Sequence, residues 1–331
     1  MKIGVRTRGR LSQIAIAVVA LLAHSDVSIG GSICRPPEVS QEEVQRKCEK
    51  AFTVLRNTMT TDEGTNNSEE HFIKYREKYN EFDSKCLCKF SQAKDYTREF
   101  LSKYLVAIFA AESVGNDPQP YCTGFRVSQN IVVTAKHCAT ELGVRSLRFL
   151  SHPGIAYEFS IDDIVKMKAS GGDLSDYSLI KVRGKLPNFL GSPDGLSSEV
   201  EVRQALNVFA ISRPAYFLND TKPSHWVEAV RYSKVNSAQA FDPSKIAQMP
   251  TDASASSRCL YYGIETFAGM SGAPVLKINR VVGNGNPTIK IVGIHLRDAA
   301  TSGECGRDER FNVGIRLPEE LIIAAKHGGT E

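Results

Sequence analysis

Long apolar runs are scarce in this chain of 331 residues. The one compact run, Ile14 to Ala23, has ten residues, about half of what a helix needs to cross a bilayer. No other stretch is long and apolar enough to span a membrane. Excess charge is also lacking: 41 Lys and Arg stand against 37 Asp and Glu, a formal net charge of +4. Lys2, Arg6, Arg8 and Arg10 supply four of the positive charges, all ahead of the apolar run. Without residues 1–25 the net charge falls to zero, which removes any bulk electrostatic reason to bind nucleic acid or anionic lipid. There is no internal repeat. The pair Cys86-Leu87-Cys88 is too tight for a zinc knuckle, and no histidine pair lies nearby at zinc spacing. No metal and no cofactor are expected.

A basic start, the apolar run, and a polar Gly/Ser-rich stretch from His24 to Ile33 follow the three-part plan of a secretory signal. Residues 1–33 are therefore expected to be a signal peptide. Ala23-His24-Ser25 fits the small-x-small cleavage rule, and a later cut near Gly31 is an alternative. The mature protein is expected to be secreted or periplasmic, with no stable membrane span. Its eight cysteines, an even number, suggest up to four disulfides.

Residues 34–100 read as a hydrophilic helical segment, a pro-region or an interaction module for a protein partner. Ser40 and Glu43 form a capping box, and Val44, Cys48, Phe52 and Leu55 follow at helical spacing. After a polar loop, Asn67 or Ser68 can cap a second helix with Phe72, Tyr75, Tyr79, Phe82 and Cys86 on one face. Cys48 and Cys86 both lie on apolar faces, so a disulfide-stapled hairpin is expected. The pairing among Cys34, Cys48, Cys86 and Cys88 stays open.

From about Tyr104 the texture changes to short β-rich runs separated by Gly, Pro, Asn and Asp. Examples are Tyr104–Ala110, Ile131–Ala135, Tyr177–Val182, Trp226–Tyr232 and Ile289–His295. So many short strands argue for a mainly β barrel or sandwich. A final helix opens at Pro318, carries Glu319 and Glu320 in its first turn and Lys326 and His327 in its last, and stops at Gly328.

Within the β-rich part, Thr134-Ala135-Lys136-His137-Cys138, Asp176-Tyr177-Ser178-Leu179-Ile180 and Gly269-Met270-Ser271-Gly272-Ala273-Pro274 supply a histidine, an aspartate and a serine. A serine hydroxyl is a poor nucleophile at neutral pH. It needs an imidazole to take its proton and a carboxylate to orient that imidazole. Asp173 competes for the carboxylate role, but it lies beside Gly171-Gly172 and does not directly open the strand.

These segments resemble the trypsin-like (chymotrypsin-fold) serine peptidases, in motif style closest to the bacterial glutamyl-endopeptidase-type enzymes. The resemblance implies two antiparallel six-stranded β-barrels within a peptidase domain, residues 101–331. It implies a serine endopeptidase with His137 as general base, Asp176 as its orienting carboxylate and Ser271 as nucleophile. The N–H groups of Gly269 and Ser271 would form the oxyanion hole. The family's cysteine after the histidine usually bridges to one just upstream, and Cys122 is suitably placed for Cys138. Cys259 and Cys305 flank the pocket segments, and a bridge between them would fix the two pocket walls.

One departure stands out. Trypsin-like zymogens carry an aspartate before the nucleophile to capture a new N-terminus, and here that residue is Met270. Specificity signals disagree. Thr266 and His295 match the glutamyl endopeptidases' pocket and suit an acidic side chain, whereas Glu265 stands where a carboxylate would favour Lys or Arg. The substrate implied is a protein or peptide. A non-catalytic peptide-binding protein on a peptidase fold is the alternative.

Overall fold

A computed structural model of the chain describes residues 40–60, 69–110, 119–140, 145–165, 173–201, 206–218, 223–233, 258–262, 266–267, 269–279, 287–298, 304–306 and 312–326. The expected signal region, Cys34 and the Asn67/Ser68 cap lie outside these residues.

The described residues begin with two helices, α1 (Gln41–Thr60) and α2 (Glu69–Cys86). Ser40 starts α1 as its sequence suggests. Its Oγ accepts the Glu43 N–H at 3.3 Å and its carbonyl accepts the Val44 N–H at 3.1 Å. Val44, Cys48, Ala51 and Leu55 bury one face of α1, and Tyr79, Phe82 and Cys86 bury the facing stripe of α2. The stripe fails at its start, where Phe72 is 49% exposed. Cys48 and Cys86 are both buried as thiols. Packing, not a bridge between these two, therefore closes the hairpin. Cys88 is the disulfide-bonded cysteine here.

The remaining elements follow as β1 (Leu87–Lys89), α3 (Asp95–Tyr104), β2 (Leu105–Ala110), β3 (Gln119–Arg126), β4 (Ile131–Thr134) and α4 (Lys136–Thr140). Then come β5 (Arg145–Phe149), β6 (Tyr157–Phe159), β7 (Ile164–Val165) and β8 (Ser178–Lys181). The second half holds β9 (Leu206–Val208), β10 (Ala210–Ile211), α5 (Arg213–Leu218), β11 (Val230–Ser233), β12 (Cys259–Tyr262), β13 (Pro274–Asn279), β14 (Thr288–Asp298), β15 (Asn312–Arg316) and α6 (Glu319–Lys326).

Two curled antiparallel sheets carry the fold, with N-terminal helices and a C-terminal helix added. The first has seven strands in the order β6-β5-β2-β3-β4-β8-β7, and the second has five, β12-β15-β14-β13-β9. A third, small sheet runs β1-β11-β10. Strand β1 comes from the N-terminal segment and pairs with β11 through Leu87↔Ser233, Cys88↔Tyr232 and Lys89↔Arg231.

The strand expected at Trp226–Tyr232 begins late. Residues 223–229 form 3-10 turns opened by Pro223, which has no N–H to give a ladder, and only Val230 onward is strand. The fully buried Trp226 is satisfied there, donating its Nε1–H to the Pro153 carbonyl at 3.1 Å. The C-terminal helix starts directly after Pro318, as its opening signals suggest, and His327 and Gly328 lie outside the described residues. Its Glu320 accepts the Tyr177 hydroxyl at 2.9 Å, which ties α6 to the residue after Asp176.

Candidate active site

The pairing of β4 with β8 sets the first half of the site. Their register places Thr134 opposite Ser178. In an antiparallel pair, the chain leaving β4 and the chain entering β8 lie at the same end. His137, on α4 just beyond β4, therefore meets Asp176 just before β8. The His137 Nδ1 lies 2.9 Å from Asp176 Oδ2, and the His137 backbone N–H donates to Asp176 Oδ1 at 3.1 Å. One carboxylate thus fixes both the ring and its main chain. Burial pushes the Asp176 carboxyl up, but bonds and charge from His137, with the His137 and Lys136 N–H groups, hold it below its ordinary value. With the Nδ1 proton committed to Asp176, Nε2 is left as the acceptor.

Asp173, the rival carboxylate, is used elsewhere. Arg297 grips it through Nε at 3.1 Å and Nη2 at 2.8 Å, and the Cys305 N–H donates to it at 2.6 Å. It anchors the segment that carries Cys305 and does not face the imidazole.

The second half of the site is the turn from Gly269 to Gly272. Both glycines have positive φ, +94° and +80°, a region that side chains with a Cβ rarely enter. Space is equally decisive. A Cβ on residue 272 would strike Thr134 Oγ1 and the Thr123 carbonyl. On residue 269 it would come within 2.8 Å of Arg213 Cγ and 2.9 Å of the Ile211 carbonyl. The glycines therefore let the serine turn lie directly against the β3–β4 edge from which His137 emerges.

Thr123, which no local sequence pattern marks, joins the halves. Its N–H donates to the Ser271 carbonyl at 2.9 Å, and its hydroxyl donates to the Gly269 carbonyl at 2.8 Å and accepts the Ile211 N–H at 3.0 Å. Thr134 donates in turn to the Thr123 carbonyl at 2.8 Å. The far side of the turn is held by β14. The Gly272 N–H donates to the His295 carbonyl at 2.7 Å, and the His295 N–H donates to the Ala273 carbonyl at 2.9 Å. Among the described residues, neither the Gly269 nor the Ser271 N–H is taken up by a backbone carbonyl.

The predicted pocket residues are only partly brought together. Thr266 donates its hydroxyl to Asn312 Oδ1 at 2.9 Å. His295, 2% exposed, has its Nδ1 2.6 Å from the Tyr262 hydroxyl. Complete burial pushes the Tyr262 phenol well above its ordinary value, so it is the donor in this pair. Burial and, secondarily, the nearby His137 pull the His295 imidazole down to about 3. His295 is therefore neutral, accepting at Nδ1 and carrying its proton on Nε2. Glu265 lies outside the described residues. Tyr262 and Asn312 had no sequence signal, because each is a core residue of an ordinary strand until tertiary contact gives it a partner.

Both disulfides suggested by the resemblance and the pocket-flanking positions are formed, Cys122–Cys138 and Cys259–Cys305. The first pins α4 beside His137 to β3. Cys122, His137 and Cys138 are close enough to hold an ion, but both sulfurs are spent in the bridge, leaving a single imidazole donor.

Two curled antiparallel sheets meeting at a histidine-bearing edge and a double-glycine serine turn define a chymotrypsin-fold protein. A family model described as Trypsin matches residues 95–317, more than half the chain, and the chain belongs to that family. Among solved structures, it is similar to the MamO protease domain from Magnetospirillum magneticum in its apo form, at 15% identity and a TM-score of 0.41, covering 68% of this chain and 96% of that one. It is also similar to a Glu endopeptidase in complex with MPD, at 15% identity and a TM-score of 0.40, covering 69% and 91%. The active form of the Rv3671c protease from M. tuberculosis matches at 14% identity and a TM-score of 0.42, covering 70% and 83%. Curated proteins return no match. The family assignment rests on the family model and not on these structural likenesses.

Proposed function

We propose that this protein is an exported serine endopeptidase that cuts peptide bonds through an acyl-enzyme on Ser271. The observation that carries this reading is the doubly bonded His137–Asp176 pair beside a turn whose two glycines and Thr123 clamp hold Ser271 against the same edge. Ser271 Oγ attacks the scissile carbonyl carbon while its proton passes to His137 Nε2. The oxyanion that forms is met by the Gly269 and Ser271 N–H groups. The C–N bond then breaks, and the amine departs with the proton from Nε2. Water repeats the sequence on the ester: His137 takes its proton, the acid leaves, and Ser271 recovers its hydrogen. Asp176 stays ionised throughout and stabilises the imidazolium.

For the residue before the scissile bond we favour an acidic side chain. A neutral His295 with its Nδ1 occupied by Tyr262 is an oriented Nε2–H donor, the kind of group that binds a carboxylate without bringing a rival charge. Glu265 is the residue that would argue for a basic side chain instead. Export is supported by the basic start and apolar run of residues 1–33, and the two disulfides fit an oxidising compartment.

Labelling with a fluorophosphonate probe tests the activity, with Ser271→Ala and His137→Ala as controls. Wild-type protein is expected to label and both variants to lose it. Labelling that survives Ser271→Ala would overturn the assignment. Cleavage of a peptide library by wild type and His295→Ala then separates acidic from basic preference.

A further inference from the structure

The N-terminal helical hairpin reaches the nucleophile's turn from behind. Phe267, which stands at the entrance to that turn, is met by three aromatic rings of the hairpin. Phe52, Tyr79 and Phe82 lie with centroids 6.3, 5.6 and 5.2 Å from its own, all edge-on, the arrangement that aromatic pairs prefer. The backbone of Phe267 is itself part of the turn. Its carbonyl accepts the Met270 N–H at 3.1 Å, and its N–H points to the Met270 sulfur at 3.2 Å.

A second set of contacts secures the opposite wall. The Tyr79 hydroxyl is 2.6 Å from Ser212 Oγ, in a buried bond. Ser212 lies between Ile211, whose N–H is held by Thr123, and Arg213, whose Cγ would lie 2.8 Å from a Cβ on residue 269. Asp83 on the same helix forms a bidentate pair with Arg231, Nε to Oδ1 at 2.6 Å and Nη2 to Oδ2 at 3.3 Å, with the Arg231 side chain only 1% exposed. Arg231 also belongs to β11, which pairs with β1 directly after the hairpin. One helix thus holds the Phe267 side of the turn, the Ser212 side, and the small sheet beneath them.

We propose that this hairpin is a built-in clamp that positions the oxyanion turn, and that the mature enzyme needs it. The inference rests on the peptidase reading above. Met270 is apolar and buried, so it offers no carboxylate for a new N-terminus to capture. The turn must take its rigidity from other sources: beside the Thr123 and β14 bonds, the aromatic cluster on Phe267 and the Tyr79–Ser212 bond support it from the hairpin side. Phe52, Tyr79, Phe82 and Asp83 are positioning residues: they touch the turn or its supports, not the substrate. An inhibitory pro-region would behave oppositely, since loosening it would release activity.

The test uses the full chain carrying Phe82→Ala, with Tyr79→Phe as the mild variant and Phe82→Leu as the conservative rescue. Removing a single oxyanion donor lowers kcat by about 10²–10³-fold. Partial loss of order in Phe82→Ala is expected to lower kcat by about tenfold or more, with KM nearly unchanged. Tyr79→Phe, which loses one buried hydrogen bond, is expected to lower it by about fivefold, and Phe82→Leu to restore most of the loss. Hydrogen exchange is measured alongside on peptides covering residues 266–276 and, as a control, β4 and β8. Exchange should quicken in the first peptide alone. Equal or higher activity in the variants, or unchanged exchange at 266–276, overturns the proposal. If wild-type protein fails to label with a fluorophosphonate, the peptidase reading falls, while the exchange result still decides whether the hairpin orders the turn.

Discussion

His295 makes a quantitative prediction about acid stability. Its imidazole is 2% exposed, bonded to the Tyr262 hydroxyl, and held down to about 3 by burial and, secondarily, by His137. In the unfolded chain the same group titrates at about 6.5. A base with a depressed folded value takes its proton only on unfolding. Its contribution to stability is therefore present above the unfolded value and lost as pH falls toward the folded one. Integrating that difference gives a loss of about 2 kcal/mol between about pH 7 and pH 5, growing to about 4 kcal/mol near pH 3. His295→Gln removes the titration while keeping an amide oxygen that can accept from Tyr262. Urea unfolding of both proteins at the two higher pH values isolates the effect, because groups that titrate in both, Asp176 among them, drop out of the comparison. The wild type should lose about 2 kcal/mol more than His295→Gln over that interval. Equal losses would mean that the imidazole is not held neutral, and the donor role assigned to its Nε2 would go with it.

Three further outcomes follow from the same geometry. Asp176→Asn should lower kcat by about 10⁴-fold, since an amide in its place no longer enforces the Nδ1–H tautomer; steady-state kinetics showing less than a tenfold loss would remove Asp176 from the site. Gly272→Ala should destabilise the fold by about 3 kcal/mol, because the φ of +80° and the collision with Thr134 and Thr123 act together; a denaturation midpoint within error of wild type would contradict it. Thr123→Val keeps the shape but strands the Ile211 N–H and the Gly269 carbonyl, at about 2 kcal/mol or more. Its activity should fall further than its stability, and a purely thermal effect would show that the clamp does not reach the nucleophile.

How much of this was legible in the sequence depends on how local each constraint is. The serine turn is local: two glycines around a serine mark a backbone that only glycine tolerates, and the contacts at Gly272 explain why. The final helix is equally local, with its cap and end charges all within one short segment. Asp176 directly opens a strand where Asp173 does not, and the β4–β8 register is the reason that position reaches His137. Trp226 sits in a buried 3-10 turn and not in the expected strand, since a short apolar run with a large aromatic looks the same in both. Tyr262, Asn312 and Thr123 were invisible for a different reason. Each gains its role from a partner at least 33 residues away, and no local pattern distinguishes such a residue from its neighbours in the core.

The division of the chain near residue 100 followed a change in composition, from charged helices to apolar strands. Composition reports how much surface a segment shows to water, not what its buried face touches. The hairpin is hydrophilic because one side of it is exposed, whereas its other side meets Phe267, Ser212 and Arg231. Strand β1 is three residues long, too short for an alternating pattern to register, yet its pairing with β11 joins the two parts. A buried ion pair, a buried hydroxyl bond and an aromatic cluster cross that boundary, and separating the parts would expose all three at once. The family's motifs supply the residues to which the proposed chemistry is assigned. Beside the Thr123 and β14 bonds, the rings that pack on Phe267 at the start of the turn come from a segment that those motifs do not cover.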